Sequence, residues 1–445
     1  MPRRTFVRAA AGTGLGAAIG QAAMGTSDAI RSSRSGGVDS ADPATWRGQF
    51  PALGQKIGGY PLAYFDTAAT SLRPRPVIDS LASFYSGPSA NPGATLHTLA
   101  RRAAELYEGA RSEVARFIGA SDPLEVVFTR GTTEAINLVA TAWGGAHLSA
   151  GDEILLTQAE HASNLLPWQL AAARVGAVVR YAAIDDDGHV DMDSFTRLLS
   201  PRTRLAAFSH VSNVVGLVNP VREMCLRAHA AGALTLVDAA QSAPHFGLRV
   251  HDIGCDFLAF SSHKMCGPMG VGALWARREL LDTMPPYQAG SNMAHDVDVD
   301  ARHYSDGAFK FGAGTPNVAD AIGFAVAARF LAAIGWEALQ VHERTITRRM
   351  LEGLGGIPGV HLLGSRDATD RIGVFAFTID GRKPLDVVAA LDARGIAVRA
   401  GDLAALPLLK RLGTTAAVRA SCYLYTTAGE VDRLLNELDR IVARG

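Results

Sequence analysis

From Leu124 to Ser262 the chain alternates short, almost wholly apolar runs with segments of helical periodicity. "LEVVFT" is followed by "EAINLVATAWGG" and "DEILLT" by "NLLPWQLAAARVG"; "AVVRYAAI", "MDSFTRLLS", "TRLAAFSHVS", "VREMCLRAHAAG", "LTLVDAA" and "CDFLAFSS" continue the series. Strands alternating with helices of this length predict parallel strands joined by right-handed crossovers. The runs are apolar at nearly every position, as expected where helices cover both faces of a sheet. The class is therefore α/β. After Ile322 the pattern changes. "GFAVAARFLAAIGWEALQVHERTITRRMLEGL" reads as one long helix or a broken pair, and "IGVFAFTI", "PLDVVAALDARG", "IAVRAG", "AAVRASCYLY" and "GEVDRLLNELDRIVAR" form a smaller α+β unit. The expected division is residues 1–40 as leader and linker, 41–320 as a large domain with an N-terminal arm, and 321–445 as a small C-terminal domain.

Composition narrows the partners. Its 43 basic and 43 acidic side chains balance. No run of Lys or Arg occurs beyond the N-terminus, so neither nucleic acid nor an anionic membrane surface is expected as a partner. The four cysteines, Cys225, Cys255, Cys266 and Cys422, form no CxxC pair and no zinc spacing, so no metal is expected. The opening "MPRRTFVRAAAGTGLGAAIGQAAMG" has a basic start and a mild Ala/Gly-rich stretch, too short for a membrane span. It reads as a targeting peptide, and Arg3, Arg4 and Phe6 resemble a twin-arginine signal. That implies the twin-arginine export machinery as a partner and a periplasmic or otherwise exported location. The route carries folded protein, which suits an enzyme that takes up a cofactor before export.

In open parallel sheets ligands gather at the carboxyl ends of the strands. The polar residues just beyond those ends are Thr132, Thr133, His161, Asn213, Asp238, Gln241, Ser261, His263 and Lys264. Thr132 and Thr133 open a helix, where hydroxyls and free amides hold an anion or simply cap the helix. Asp238 ends an apolar run, so its carboxylate calls for a cation, such as a protonated pyridine nitrogen, or for neighbouring amides. His161 is either a satisfied histidine or a flat ring stacked on a planar cofactor. Lys264, in "SSHKMCGPMGVG", follows a strand and precedes glycines that let the backbone turn tightly; it is placed to form an imine, although most lysines are solvated. Together the set holds an amine for an aldehyde, an anion cup, an acid for a ring nitrogen and a ring to stack, which are the parts of a pyridoxal phosphate site.

These motifs carry a resemblance. From Tyr64 onward, "YFDTAATS", "LHTLARRAAELYEGAR", "VFTRGTTEAINLVATAWG", "AEHASNLLPW", "VSNVVG", "VDAAQSAPH", "SSHKMCGPMGVG", "FGAGTPN" and "VRAS" resemble the class V aminotransferase family of fold-type I pyridoxal phosphate enzymes. The SufS-type cysteine desulfurases and selenocysteine lyases look most similar. The resemblance implies a mostly parallel seven-stranded sheet, pyridoxal 5′-phosphate as cofactor and a homodimer. It implies that Lys264 anchors the cofactor and moves protons, that Asp238 pairs with the ring nitrogen, that Gln241 meets the phenolic oxygen and that His161 stacks on the ring. Thr132, Thr133, Ser261 and His263 would bind the phosphate, with Thr315 reaching that of the other subunit. Asn213 would sit by the substrate or a cofactor oxygen, and Arg419, with Arg399 nearby, would hold a substrate carboxylate. Strand alternation supports Arg419 separately: Val418, Ala420, Cys422 and Leu424 share one face, and Arg419, Ser421, Tyr423 and Tyr425 the other, turning Arg419 away from the core. A guanidinium fork suits a carboxylate.

One departure shapes the functional expectation. The family's desulfurases carry a nucleophilic cysteine on the loop that here reads "VRAGDLAALPLL", with Ala404 at the matching position and Asp402 and Leu403 in place of loop histidines. Sulfur transfer through a protein persulfide needs a thiolate. The expected function is therefore an exported pyridoxal phosphate enzyme acting on the α-amino group of an amino acid or peptide, similar to exported enzymes of siderophore maturation, and not a persulfide-type desulfurase. The alternatives are a cysteine, cystine or selenocysteine C–S lyase, an amino-acid epimerase, or a catalytically silent cofactor-binding protein. Cys266 is expected to be a packing residue.

Overall fold

The computed structural model describes residues 42–93, 97–300 and 302–444; the leader expected over residues 1–40 lies outside them. The apolar runs form the strands of one seven-stranded sheet: β1 (Val126–Thr129), β2 (Glu153–Thr157), β3 (Val178–Ala182), β4 (Thr203–Ser209), β5 (Leu234–Asp238), β6 (Phe257–Ser261) and β7 (Gly272–Ala276). Their spatial order is β1-β7-β6-β5-β4-β2-β3. The pairs β2/β3, β2/β4, β4/β5 and β5/β6 are parallel, and β7 runs antiparallel to both β1 and β6. Helices Thr132–Leu138 and Leu166–Val175 press Ile136, Leu138, Trp168 and Ala172 onto Ile154, Leu205, Leu236 and Phe257 of the sheet. Each large apolar side chain buried this way contributes about 1.5–3 kcal/mol, which is why the crossovers pack against the sheet.

β7 is the strand not expected from the sequence. Its glycine-rich approach, "GPMGVG", has the composition of a turn. The reason for glycine is tertiary: a Cβ on Gly272 would lie 2.5 Å from Gly131 Cα and 2.6 Å from the Phe260 carbonyl oxygen. The strand thus passes directly under the start of helix Thr132–Leu138. Gly131 itself has φ 156° and ψ −178°, a conformation essentially restricted to glycine.

Four further strands form the second sheet, in the order β8-β9-β11-β10: β8 (Val360–Leu362), β9 (Val374–Ile379), β10 (Arg399–Gly401) and β11 (Ala417–Ser421). The long helical segment is a broken pair, Val318–Ile334 and Trp336–Gly356, bent by 79° at Gly335, whose φ is 83°. "IAVRAG" also divides: Ile396–Ala397 pairs in parallel with Ala63–Tyr64, and Arg399–Gly401 joins β11. "AAVRASCYLY" is strand only as far as Ser421; Tyr423 and Tyr425 lie in a turn, buried.

The alternation along β11 holds for Val418, Ala420 and Cys422, which belong to one apolar cluster. The opposite face is not turned outward as expected. Arg419 is 3% exposed and Ser421 fully buried, because the segment around Asp66 covers them. Ser421 donates its amide to the Phe65 carbonyl at 2.7 Å, and the Thr67 hydroxyl donates to the Ser421 carbonyl at 2.6 Å. Arg419 therefore points into an internal cavity, not into solvent.

Candidate active site

A cavity of about 440 Å³ opens at the carboxyl ends of β1, β2, β4, β5 and β6. Thr132, Thr133, His161, Asn213, Asp238, Gln241, Ser261, His263, Lys264, Arg399 and Arg419 all line it, so the fold gathers eleven of the twelve expected residues. Thr315 is the exception. It is exposed, outside the lining, and its hydroxyl accepts from the Asn91 side-chain amide at 3.1 Å.

Asp238 is buried, and the half-buried Lys264 shares the cavity with it. Asp238 ends β5, with one carboxylate oxygen taking the Ala240 amide at 2.9 Å. Burial raises its pKa, and the nearby Lys264 ammonium works against that rise. Lys264 ends the short turn Ser262–Lys264 after β6. Burial, aided by the Arg419 charge and opposed by Asp238, brings its amine down to about 8. An amine with that pKa is substantially neutral just above neutrality, the form that is nucleophilic and accepts protons.

Two histidines are held neutral. Burial, with Lys264 and Arg419 beside it, brings His161 down to about 4. Its Nδ1 accepts the Ser163 amide at 3.1 Å, so the ring proton sits on Nε2. Burial, Lys264 and Arg73 likewise bring His263 down to about 4. Among the hydroxyls, Ser261 Oγ accepts the Thr132 amide at 2.8 Å and lies 2.7 Å from Thr132 Oγ1, while Thr133 Oγ1 lies 2.8 Å from Ser163 Oγ. Gln241 donates to the Ala68 carbonyl at 2.7 Å, and Asn213 to that of Leu403 at 2.8 Å.

The arginines depend on a residue that motif spacing did not single out. Asp66 receives Arg399 Nε and Nη2 at 2.9 and 2.8 Å, and Arg419 Nη2 lies 3.5 Å from it. Arg419 Nη1 donates to the Asn213 carbonyl at 2.9 Å, and among the described residues its buried Nε has no hydrogen-bond partner. Burial brings this guanidinium down to about 10, so it remains a cation at neutral pH. Asp66 is 353 positions from Arg419, and no local pattern links them. Glu160, one residue before His161, was also missed. It is fully buried, held by Thr157 and by Asn164 Nδ2 at 2.8 Å, and burial together with the Asp238 charge pushes it up to about 7. Cys266 is fully buried, its thiol pushed up to about 12 by burial, and its φ is 66°.

Comparison with known proteins gives a consistent result. The aminotransferase class-V family model matches residues 63–434. A Mycobacterium leprae protein described as "Probable cysteine desulfurase 1" is 44% identical over 92% of this chain, which spans 66% of that protein's length. A Synechocystis protein described as "Probable cysteine desulfurase" is 43% identical over 90% of this chain, which spans 95% of it. Among solved structures, the cysteine desulfurase CsdA from Escherichia coli superposes with a TM-score of 0.83 at 37% identity, covering 91% of this chain and 99% of that one.

These relatives correct the functional expectation. Ala404 on the loop predicts an exported enzyme acting on an amino acid or peptide, similar to those of siderophore maturation, and not a persulfide-type desulfurase. Similarity of 43–44% along nearly the whole chain to cysteine desulfurases overturns that reading. The physical reason is that Ala404 is a single loop position at the cavity, whereas the fold and the groups gathered in that cavity follow from the pattern of the whole chain.

Family members use pyridoxal 5′-phosphate. The donor set here fits that group: a half-buried amine, a buried carboxylate, a flat neutral imidazole and paired hydroxyls line one cavity. With a match that spans residues 63–434 and relatives this similar from end to end, the chain belongs to the class-V aminotransferase family and is a pyridoxal phosphate-dependent enzyme.

Proposed function

We propose that this enzyme cleaves the C–S bond of a cysteine-type amino acid, the chemistry named for its desulfurase relatives. The observation that carries the reading is that Lys264, Asp238 and Arg419 line one cavity, with the Lys264 amine brought down to about 8. Arg419 binds the substrate carboxylate, with Asn213 fixing the guanidinium through its carbonyl oxygen. Asp66, itself held by Arg399, pairs with Arg419. Lys264, its amine pKa lowered to about 8, would anchor the cofactor and then take and return the proton at the substrate Cα. His161 would stack on the cofactor ring, and Gln241 would meet its phenolic oxygen. Asp238 would keep the ring nitrogen protonated, while Thr132, Thr133, Ser261 and His263 would receive the phosphate. The cofactor supplies an electron sink for the bonds to Cα.

Two further properties are part of the proposal. Thr315 is offered to the phosphate site of a second copy, so the enzyme is read as a homodimer. Arg3 and Arg4 support delivery outside the cytoplasm by the twin-arginine route. Size-exclusion chromatography with light scattering, and cell fractionation of a strain expressing the full chain, test these in turn.

The central test is incubation of the purified holoenzyme with L-cysteine and a thiol reductant, following sulfide together with alanine or pyruvate. Turnover that disappears in Lys264→Ala is the expected result. If neither sulfide nor a three-carbon product forms, the assignment is wrong.

A further inference from the structure

The turn that carries Lys264 is held by residues 192 to 195 positions away in the chain. The Ser71 amide, the Ser71 hydroxyl and the Thr70 hydroxyl all donate to the His263 carbonyl, at 2.9, 3.0 and 3.0 Å. That carbonyl belongs to the peptide joining His263 to Lys264. On the other side of the lysine, the Cys266 amide donates to Ser71 Oγ at 2.7 Å. One hydroxyl thus binds both flanks of Lys264, donating to one and accepting from the other. Ser71 and Cys266 are fully buried, so water cannot take over these bonds.

The turn needs such a restraint. Cys266 has φ 66°, a conformation that a residue with a Cβ adopts rarely and at a cost. Backbone of this kind persists where its surroundings over-determine it. The restraining segment is anchored in its turn. Arg73 Nη2 donates to Thr70 Oγ1 at 3.1 Å, and the Leu72 amide donates to the Tyr425 hydroxyl at 3.1 Å. Upstream, the Ala68 amide donates to Ser421 Oγ at 3.0 Å, and Asp66 pairs with Arg399 and Arg419. Residues 66–71 therefore form a strap from the strand of Arg419 to the turn of Lys264.

We propose that Ser71 is a positioning residue that aims the Lys264 amine. The inference rests on Lys264 as the cofactor anchor and adds what fixes the backbone on either side of it. Ser71 is outside the cavity lining, so it acts through the His263 carbonyl and the Cys266 amide. Without its hydroxyl the Cys266 amide is buried unpaired, and the turn relaxes away from φ 66°. The amine then spends less time where it can attack an aldehyde or move a proton.

Cofactor-free wild type and variants are mixed with pyridoxal 5′-phosphate, and cofactor fixed to Lys264 by borohydride is followed in time by peptide mapping. Thermal midpoints of the cofactor-free proteins are measured alongside. Ser71→Ala should slow capture by about tenfold, the effect of one hydrogen bond lost from a strained turn. Ser71→Cys keeps the volume but bonds weakly, and should show the same defect. Ser71→Ala with Cys266→Gly should recover part of the rate, because glycine adopts positive φ without strain. With L-cysteine, the loss in Ser71→Ala should fall on kcat and leave KM within about twofold. Capture at the wild-type rate in both Ser71 variants overturns the inference, even where the thermal midpoint falls. A double variant no faster than Ser71→Ala overturns it too. Both results leave Lys264 as the anchor, whereas cofactor fixed to a different lysine overturns the inference and the anchor together.

Discussion

Replacing Lys264 by methionine in cofactor-free protein isolates what the fold does to that charge. The amine falls from 10.5 to about 8 chiefly because its surroundings withdraw it from water. A folded-state pKa below the unfolded one means that stability is present above pH 10.5 and is lost as pH falls to about 8. Between those values the unfolded chain binds a proton that the folded one does not. At about 1.4 kcal/mol per pH unit, moving from pH 7 to pH 9.5 crosses roughly 1.5 units of that window and stabilises the wild type by about 2 kcal/mol. Methionine has similar length and no titration, so the difference between wild type and Lys264→Met cancels the other titrating groups. Urea unfolding of both proteins at pH 7 and 9.5 measures it. The wild type should gain about 2 kcal/mol on the variant at the higher pH. A difference that stays constant, or moves the other way, refutes the argument that burial sets this amine.

Other outcomes follow from the same geometry. Asp66→Asn leaves the buried Arg419 guanidinium without its counter-ion, and unfolding free energy should fall by about 3 kcal/mol in urea titrations. His161→Phe keeps a flat ring and should retain cofactor affinity within about threefold, whereas His161→Ala should lose about tenfold, both read by equilibrium dialysis of the cofactor. Because His161 titrates at about 4, kcat/KM should show no inflection from this residue between pH 6 and pH 8. Gly272→Ala drives a Cβ into the backbone of Gly131 and Phe260 and should cost about 2–3 kcal/mol, seen as a lower thermal midpoint.

Much of the site could be read from the linear chain. A parallel α/β sheet places residues that follow each strand at one edge, so Thr132, His161, Asn213, Asp238 and Lys264 could be collected by their position after apolar runs alone. Asp66 could not, because its role arises only when an N-terminal segment packs on β11. Glu160 lay beside a recognised histidine, yet its importance comes from complete burial near Asp238, which spacing does not report. β7 was hidden because Gly270 makes a turn, with φ 76°, just before it, while Gly272 inside the strand is glycine because of its contact with Gly131.

What the chain by itself determined is the class of the fold, the cofactor chemistry and the identity of the groups at the strand ends, since these depend on local pattern and motif. Tertiary structure alone decided the electrostatics. It brought the Lys264 amine down to about 8, neutralised His161 and His263, and turned Arg419 inward against Asp66. The reason is that charge state depends on desolvation and on neighbours hundreds of positions away, which exist only once the sheet and the C-terminal strands are packed together.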